Sequence, residues 1–171
     1  MPRLFVATWP PPEITARLSG LDRPESAGTR WSVPAQWMVA IRPLGYVEEK
    51  LIPSLADVLQ AELDGAPAPQ CVLGPQTLRP GGDWLMVPVT GLEEIGSVVF
   101  EVTEELVPVT HPQPFRTYIV LARGKVPKSL AGQAVSGEWT ARSVALVADR
   151  SAPRRPRYED LAVVDLEVAG A

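Results

Sequence analysis

Apolar positions along this chain recur with two periods, and the changes between them mark its elements. Leu4 to Ala7 form a short apolar run ending at Thr8, the pattern of a buried strand, and Pro10-Pro11-Pro12 stops it because proline has no backbone donor to give a ladder. Pro12 suits the first turn of a helix, with Ile14 and Leu18 one turn apart on its inner face and Gly20 as the stop. Residues 31–33 read as extended. Residues 37–42 alternate, sending Trp37, Val39 and Ile41 to one face as a buried stripe and Met38, Ala40 and Arg42 to the other, before Gly45 turns the chain. Over residues 47–63, Leu51, Ile52, Leu55, Val58, Leu59 and Leu63 follow helical spacing, and Pro53 predicts a kink or a late start.

Residues 70–78 and 84–89 read as two strands joined by the turn Arg79-Pro80-Gly81-Gly82-Asp83. A helix over 92–107 follows, with Ile95, Val98, Val99, Val102 and Leu106 on its apolar face. A Pro-rich loop carrying His111 leads to a strand at 116–122, a short turn at 128–130, and final strands at 139–147 and 158–166. Mixed, mostly antiparallel sheets with helices packed outside predict an α+β architecture.

The length, 171 residues, supports a real core and a single unit over residues 1–171. No apolar run approaches the roughly 20 residues of a membrane span, and MPRLFVATWPPPE lacks the apolar region of a secretory signal. Cys71 is alone, so it has no internal disulfide partner and reads as a small buried hydrophobe. A soluble, cytoplasmic protein with no membrane association is the expectation. The net charge of −4 argues against nonspecific nucleic-acid binding, and the Pro-rich basic loop from Arg150 to Arg157 becomes an anion contact only if it lies beside a cleft.

Chemistry proceeds by elimination. His111 is the sole histidine, no Gly-x-Ser-x-Gly elbow is present, and neither a phosphate-cradling Gly-rich loop nor a dinucleotide fingerprint occurs. No metal site or cofactor is predicted, because His and Cys are nearly absent. His111 reads as a loop histidine, and Glu93-Glu94 and Glu104-Glu105 as solvated helix faces. The five tryptophans read as core, with one at a cleft rim able to stack a base.

Several stretches, in order, carry a resemblance: Arg3 to Ala7 leading to Pro10-Pro11-Pro12-Glu13; Arg30-Trp31 through Val33-Pro34; Trp37 through Arg42 and Leu44-Gly45; Pro114-Phe115-Arg116 through Leu121-Ala122-Arg123; Leu146-Val147 through Ser151; and Tyr158 to Leu161. Together they resemble the 2H phosphoesterase superfamily, of the bacterial 2′-5′ RNA ligase or RNA 2′,3′-cyclic phosphodiesterase type. The resemblance implies a bilobal fold, two pseudo-twofold-related lobes of antiparallel sheet with outer helices around a central cleft. It also implies one His-x-Thr/Ser motif per lobe, the histidines acting as general acid and base and the hydroxyls holding phosphate oxygens.

This chain departs from that pattern at the residues that matter. Met38-Val39-Ala40 stands at the first motif and Tyr118-Ile119-Val120 at the second. A thioether carries no transferable proton, and an unperturbed tyrosine, with a pKa of about 10, is a poor acid or base near neutral pH. General acid–base assistance is worth about 10²–10⁴-fold. The expectation is therefore a catalytically inactive homologue with no catalytic residues at the degenerate positions Met38, Ala40, Tyr118 and Val120. Arg42, Arg116, Tyr118, Arg123 and Arg150 are its candidate ligand-binding residues, for a nucleotide, an RNA end or another anion. Two alternatives stand beside it: an active cyclic phosphodiesterase using Tyr118 and His111, and a protein–protein adaptor.

Overall fold

The structure, a computed structural model, describes residues 1–170; Ala171, the last residue of the expected unit, lies outside the described residues. Nine strands form two antiparallel sheets. β1 (Arg3–Thr8), β3 (Val39–Tyr46), β8 (Ser143–Asp149) and β9 (Tyr158–Asp165) make the first, in the order β3-β1-β8-β9. β2 (Thr29–Trp31), β4 (Gln70–Leu73), β5 (Trp84–Thr90), β6 (Thr117–Gly124) and β7 (Gly137–Thr140) make the second, in the order β2-β6-β5-β4-β7. The chain passes between the sheets several times, so neither is built from one continuous segment.

Three helices cover the outer faces. α1 (Pro12–Ser19) starts with Pro12 in its first turn, ends at Gly20 and packs on β7, burying Ile14 and Leu18. α2 (Ile52–Leu63) starts late, after a 3₁₀ turn at Glu49–Leu51. Pro53 sits in its first turn, where the missing N–H costs nothing. α2 packs on β9 and on α3 (Glu93–Thr103), and α3 packs on β3. α3 is shorter than its apolar spacing predicts: the chain turns at 104–106, and Val107 returns its N–H to the Thr103 carbonyl.

Trp37, Val39 and Ile41 are buried in the main core, as their alternation predicts. A second, smaller cluster of Phe5, Ala7, Met38, Ala145 and Val147 lines the opposite face of the first sheet. Three expectations need correction. The run 139–147 is not one strand: it breaks at Ala141-Arg142, and β7 and β8 belong to different sheets. The break is tied down on both sides, since Ala141 N–H donates to Pro69 and Arg142 C=O accepts from Leu166. The run 70–78 holds only four strand residues, because Gly74 (φ +99) turns the chain so tightly that a Cβ there would lie 2.0 Å from the Val135 carbonyl oxygen. Gly45 is not a turn but part of β3, paired with Leu4 at φ +72.

Candidate functional site

β3 of the first sheet lies beside β6 of the second, and the cleft between the sheets runs along this seam. On β1, Phe5 and Ala7 share the face that carries the smaller cluster, and Phe5 lines the cleft; their ladder partners on β3 are Pro43 and Ala40. Val6 faces the core, and its partner is Arg42. Ile41 is skipped between Ala40 and Arg42, a bulge that shifts the alternation by one residue. Met38, Ala40 and Pro43 therefore line the cleft, and Arg42 does not share their face. Arg42 is 3% exposed and reaches α3, donating to Thr103 Oγ1 at 2.6 Å and to the Val107 carbonyl at 2.5 Å.

On β6, Tyr118 and Val120 are half-buried and face the same space. A second bulge, at Leu121 opposite Leu85 and Met86, brings Ala122 and Arg123 to the cleft wall together. Met38, Ala40, Tyr118 and Val120, the four positions where the resemblance expects the motif residues, thus surround one chamber of about 760 Å³. Its floor carries no histidine, carboxylate or thiol: these four side chains are a thioether, a methyl, a phenol and an isopropyl group. Tyr118 presents its ring to Trp84 in an edge contact, centroids 4.9 Å apart. Ser32, also on the wall, is fully engaged: its hydroxyl lies 2.8 Å from the Val120 carbonyl and accepts from Trp37 Nε1 at 2.8 Å.

The rim of this chamber is strongly cationic. Arg3, Arg30, Arg123, Arg154 and Arg155 line it, and no Asp or Glu does. Arg3 is neutralised by Asp149 at 2.9 Å and lies over the Phe5 ring. Among the described residues, the other four form no ion pair. Tyr158 stands beside them, tilted against Phe5 and Trp9. Burial and the nearby Asp149 raise its phenol above the ordinary value, while Arg3 and Arg123 pull the other way.

Of the candidate ligand contacts, Tyr118 and Arg123 lie on this chamber. Arg150 does not line it; its guanidinium is engaged instead by Glu49 (3.6 Å) and Glu159 (3.4 Å). Arg116 lies on an adjoining chamber of about 730 Å³, together with His111, Phe100, Phe115 and the buried Arg42. The two chambers share Ala40, Pro43 and Tyr118. Arg3 and Arg30 were not among the candidates. Arg3 had a signal, since its alternation puts it on the face of Phe5 and Ala7; Arg30 had none, because only the β2–β6 pairing sets it opposite Arg123. Among the described residues no group of three or more His, Cys, Asp or Glu comes together as a metal site, and no helix is long and apolar enough to cross a membrane.

Two sheets meeting at a cleft, with outer helices and one apposed strand from each sheet, define the bilobal α+β class of fold seen in LigT-type phosphoesterases. TT0787 of Thermus thermophilus superposes with a TM-score of 0.81 over 98% of this chain and 99% of its own, at 22% identity. E. coli LigT complexed with 3′-AMP gives 0.78 over 97% and 99% at 20% identity, and a phosphoesterase gives 0.75 over the same shares at 20%. No protein-family model matches the chain, and no curated protein matches it in sequence. At these identities the likeness establishes the fold, and at that level it supports the resemblance to the 2H phosphoesterases.

Proposed function

We propose that this protein is a catalytically silent relative of the 2′-5′ RNA ligase type phosphodiesterases that binds the phosphate of a nucleotide or an RNA end without cleaving it. One observation carries the reading: among the described residues four arginines without ion pairs, Arg30 and Arg123 on strands of the second sheet and Arg154 and Arg155 in the loop between β8 and β9, ring a chamber whose floor is Met38, Ala40, Tyr118 and Val120. Guanidinium groups match phosphate oxygens in charge and fork geometry. The floor offers packing but no general acid or base. Support also comes from the structures of LigT with 3′-AMP, NADP+ and ATP, which share this fold.

The test has two arms. Titration with 3′-AMP should raise the unfolding temperature, the stabilisation reaching about 2.7 kcal/mol at one hundred times the dissociation constant. Incubation with a nucleoside 2′,3′-cyclic phosphate should give no turnover. Turnover abolished by Tyr118→Phe or His111→Ala would overturn this reading in favour of a second one, an enzyme with unorthodox residues. That second reading is supported by His111 and Tyr118 sharing the adjoining chamber.

A further inference from the structure

The adjoining chamber contains a buried cation that, among the described residues, forms no ion pair. Arg42 is 3% exposed, with the Phe100 ring centroid 5.2 Å from its guanidinium. Its two hydrogen bonds, to Thr103 Oγ1 and the Val107 carbonyl, use two of five N–H groups. Among the described residues it forms no ion pair with any Asp or Glu. Burial pulls the guanidinium below its ordinary value and Glu104 opposes this only in part, the direction expected of a charge without a close counter-charge.

An uncompensated buried charge is costly. The C-terminal end of α3 offsets part of that cost, since helix C-termini favour cations. That contact accounts for a single buried arginine, but not for the rest of the wall. Arg116 and His111 line the same cavity of about 730 Å³, whose lining contains no Asp or Glu. The same lining also contains the apolar and aromatic side chains Phe100, Phe115, Trp84 and Met86.

We propose that this chamber is a second ligand site, one that takes a small organic carboxylate with an apolar body. Arg42 and Arg116 hold the carboxylate, and Phe100, Phe115 and Met86 hold the body. Two arginines suit one planar carboxylate; the four unpaired arginines next door suit a phosphate-bearing ligand. The cavity lies within the range of about 300–1,000 Å³ typical of small-molecule sites. Because Trp84 lines this chamber and Trp31 the other, occupancy of each has its own reporter.

The experiment uses the full ¹⁵N-labelled chain and follows the assigned tryptophan indole N–H resonances. Benzoate should shift Trp84 saturably and leave Trp31 in place, while the neutral benzamide should shift neither. Arg116→Ala removes an exposed side chain with little risk to folding, and it should weaken benzoate about tenfold, the loss expected for a charge-assisted contact. Four results would overturn the site: no saturable Trp84 shift with benzoate, a benzamide response equal to it, an unchanged benzoate affinity in Arg116→Ala, or an equal Trp84 response to inorganic phosphate. A missing Trp31 response to 3′-AMP would sink the proposed nucleotide function and leave this site standing.

Discussion

Arg30 on β2 and Arg123 on β6 sit directly opposite each other across the antiparallel ladder, both on the wall of the arginine-lined chamber and neither in an ion pair. Like charges at facing positions of a sheet repel, at a cost of about 0.2–1 kcal/mol. An anion between them would turn that cost into affinity. Arg123→Gln should therefore raise the unfolding temperature slightly in the free protein and weaken 3′-AMP binding about tenfold or more. Calorimetry on both forms checks the two halves together; a variant with lower stability and unchanged binding would count against the chamber.

Arg154 makes a similar trade in its backbone. It occupies φ +64 in the two-residue turn between Ala152 and Arg155, which exchange hydrogen bonds at 3.0 and 2.9 Å. A side chain in that region costs about 1 kcal/mol, and glycine adopts it freely. Arg154→Gly should stabilise the fold by up to about 1 kcal/mol, seen as a higher denaturation midpoint, while nucleotide affinity falls. If affinity is unchanged, Arg154 is not a ligand contact.

Cys71 provides a pH test of the core. Burial, with Glu93 adding to it, pushes its thiol up to about 12, and the side chain is fully buried. The folded state thus holds this proton more tightly than the unfolded chain, whose thiol ionises near about 8.5. Its contribution to stability is intact below pH of about 8.5 and is lost as pH rises toward about 12. Cys71→Ala should flatten this alkaline decline in urea denaturation curves recorded against pH. A disulfide reagent at pH 8 should label Cys71 only after unfolding.

Introducing the residues that the resemblance expects tests the proposed ancestry of the cleft. Met38→His, Ala40→Thr, Tyr118→His and Val120→Thr together should point four polar side chains into one chamber, as a crystal structure would reveal. The variant should hydrolyse a nucleoside 2′,3′-cyclic phosphate measurably faster than the parent, for which the proposed function expects no turnover, since each positioned acid or base is worth about 10²–10⁴-fold. Losing the Tyr118 edge contact with Trp84 should cost about 0.5–1.5 kcal/mol of stability. A variant that folds, binds 3′-AMP and remains inert would show that more than these four side chains was lost.

The alternation of Trp37, Val39 and Ile41 was enough to identify a buried strand, because hydrophobic burial reads directly from period two. The same alternation misplaced Arg42. The bulge that turns it inward exists only in the pairing of β3 with β1, and no local pattern marks it. Gly45 was legible as a special position, but its role as a strand residue opposite Leu4 was not. The sheet switch at Ala141-Arg142 was hidden for a related reason. The alternation of Trp139 to Arg142 passes directly into the apolar run Val144 to Val147 with no Gly or Pro between them, and which sheet a strand joins is a matter of long-range partners.

By itself, the sequence determined the helices, most of the strands, the buried stripes and the identities Met38, Ala40, Tyr118 and Val120 where the resemblance expects histidine and Thr or Ser. These depend on side-chain chemistry and on the short periods of backbone geometry. Only the tertiary structure decided which arginines meet. Arg30, Arg123, Arg154 and Arg155 come from three separate parts of the chain, Arg42 is pulled to the end of α3, and Arg150 is engaged by Glu49 and Glu159. Charge acts through space, and the distances that settle it are set by bulges and strand pairing far apart in sequence.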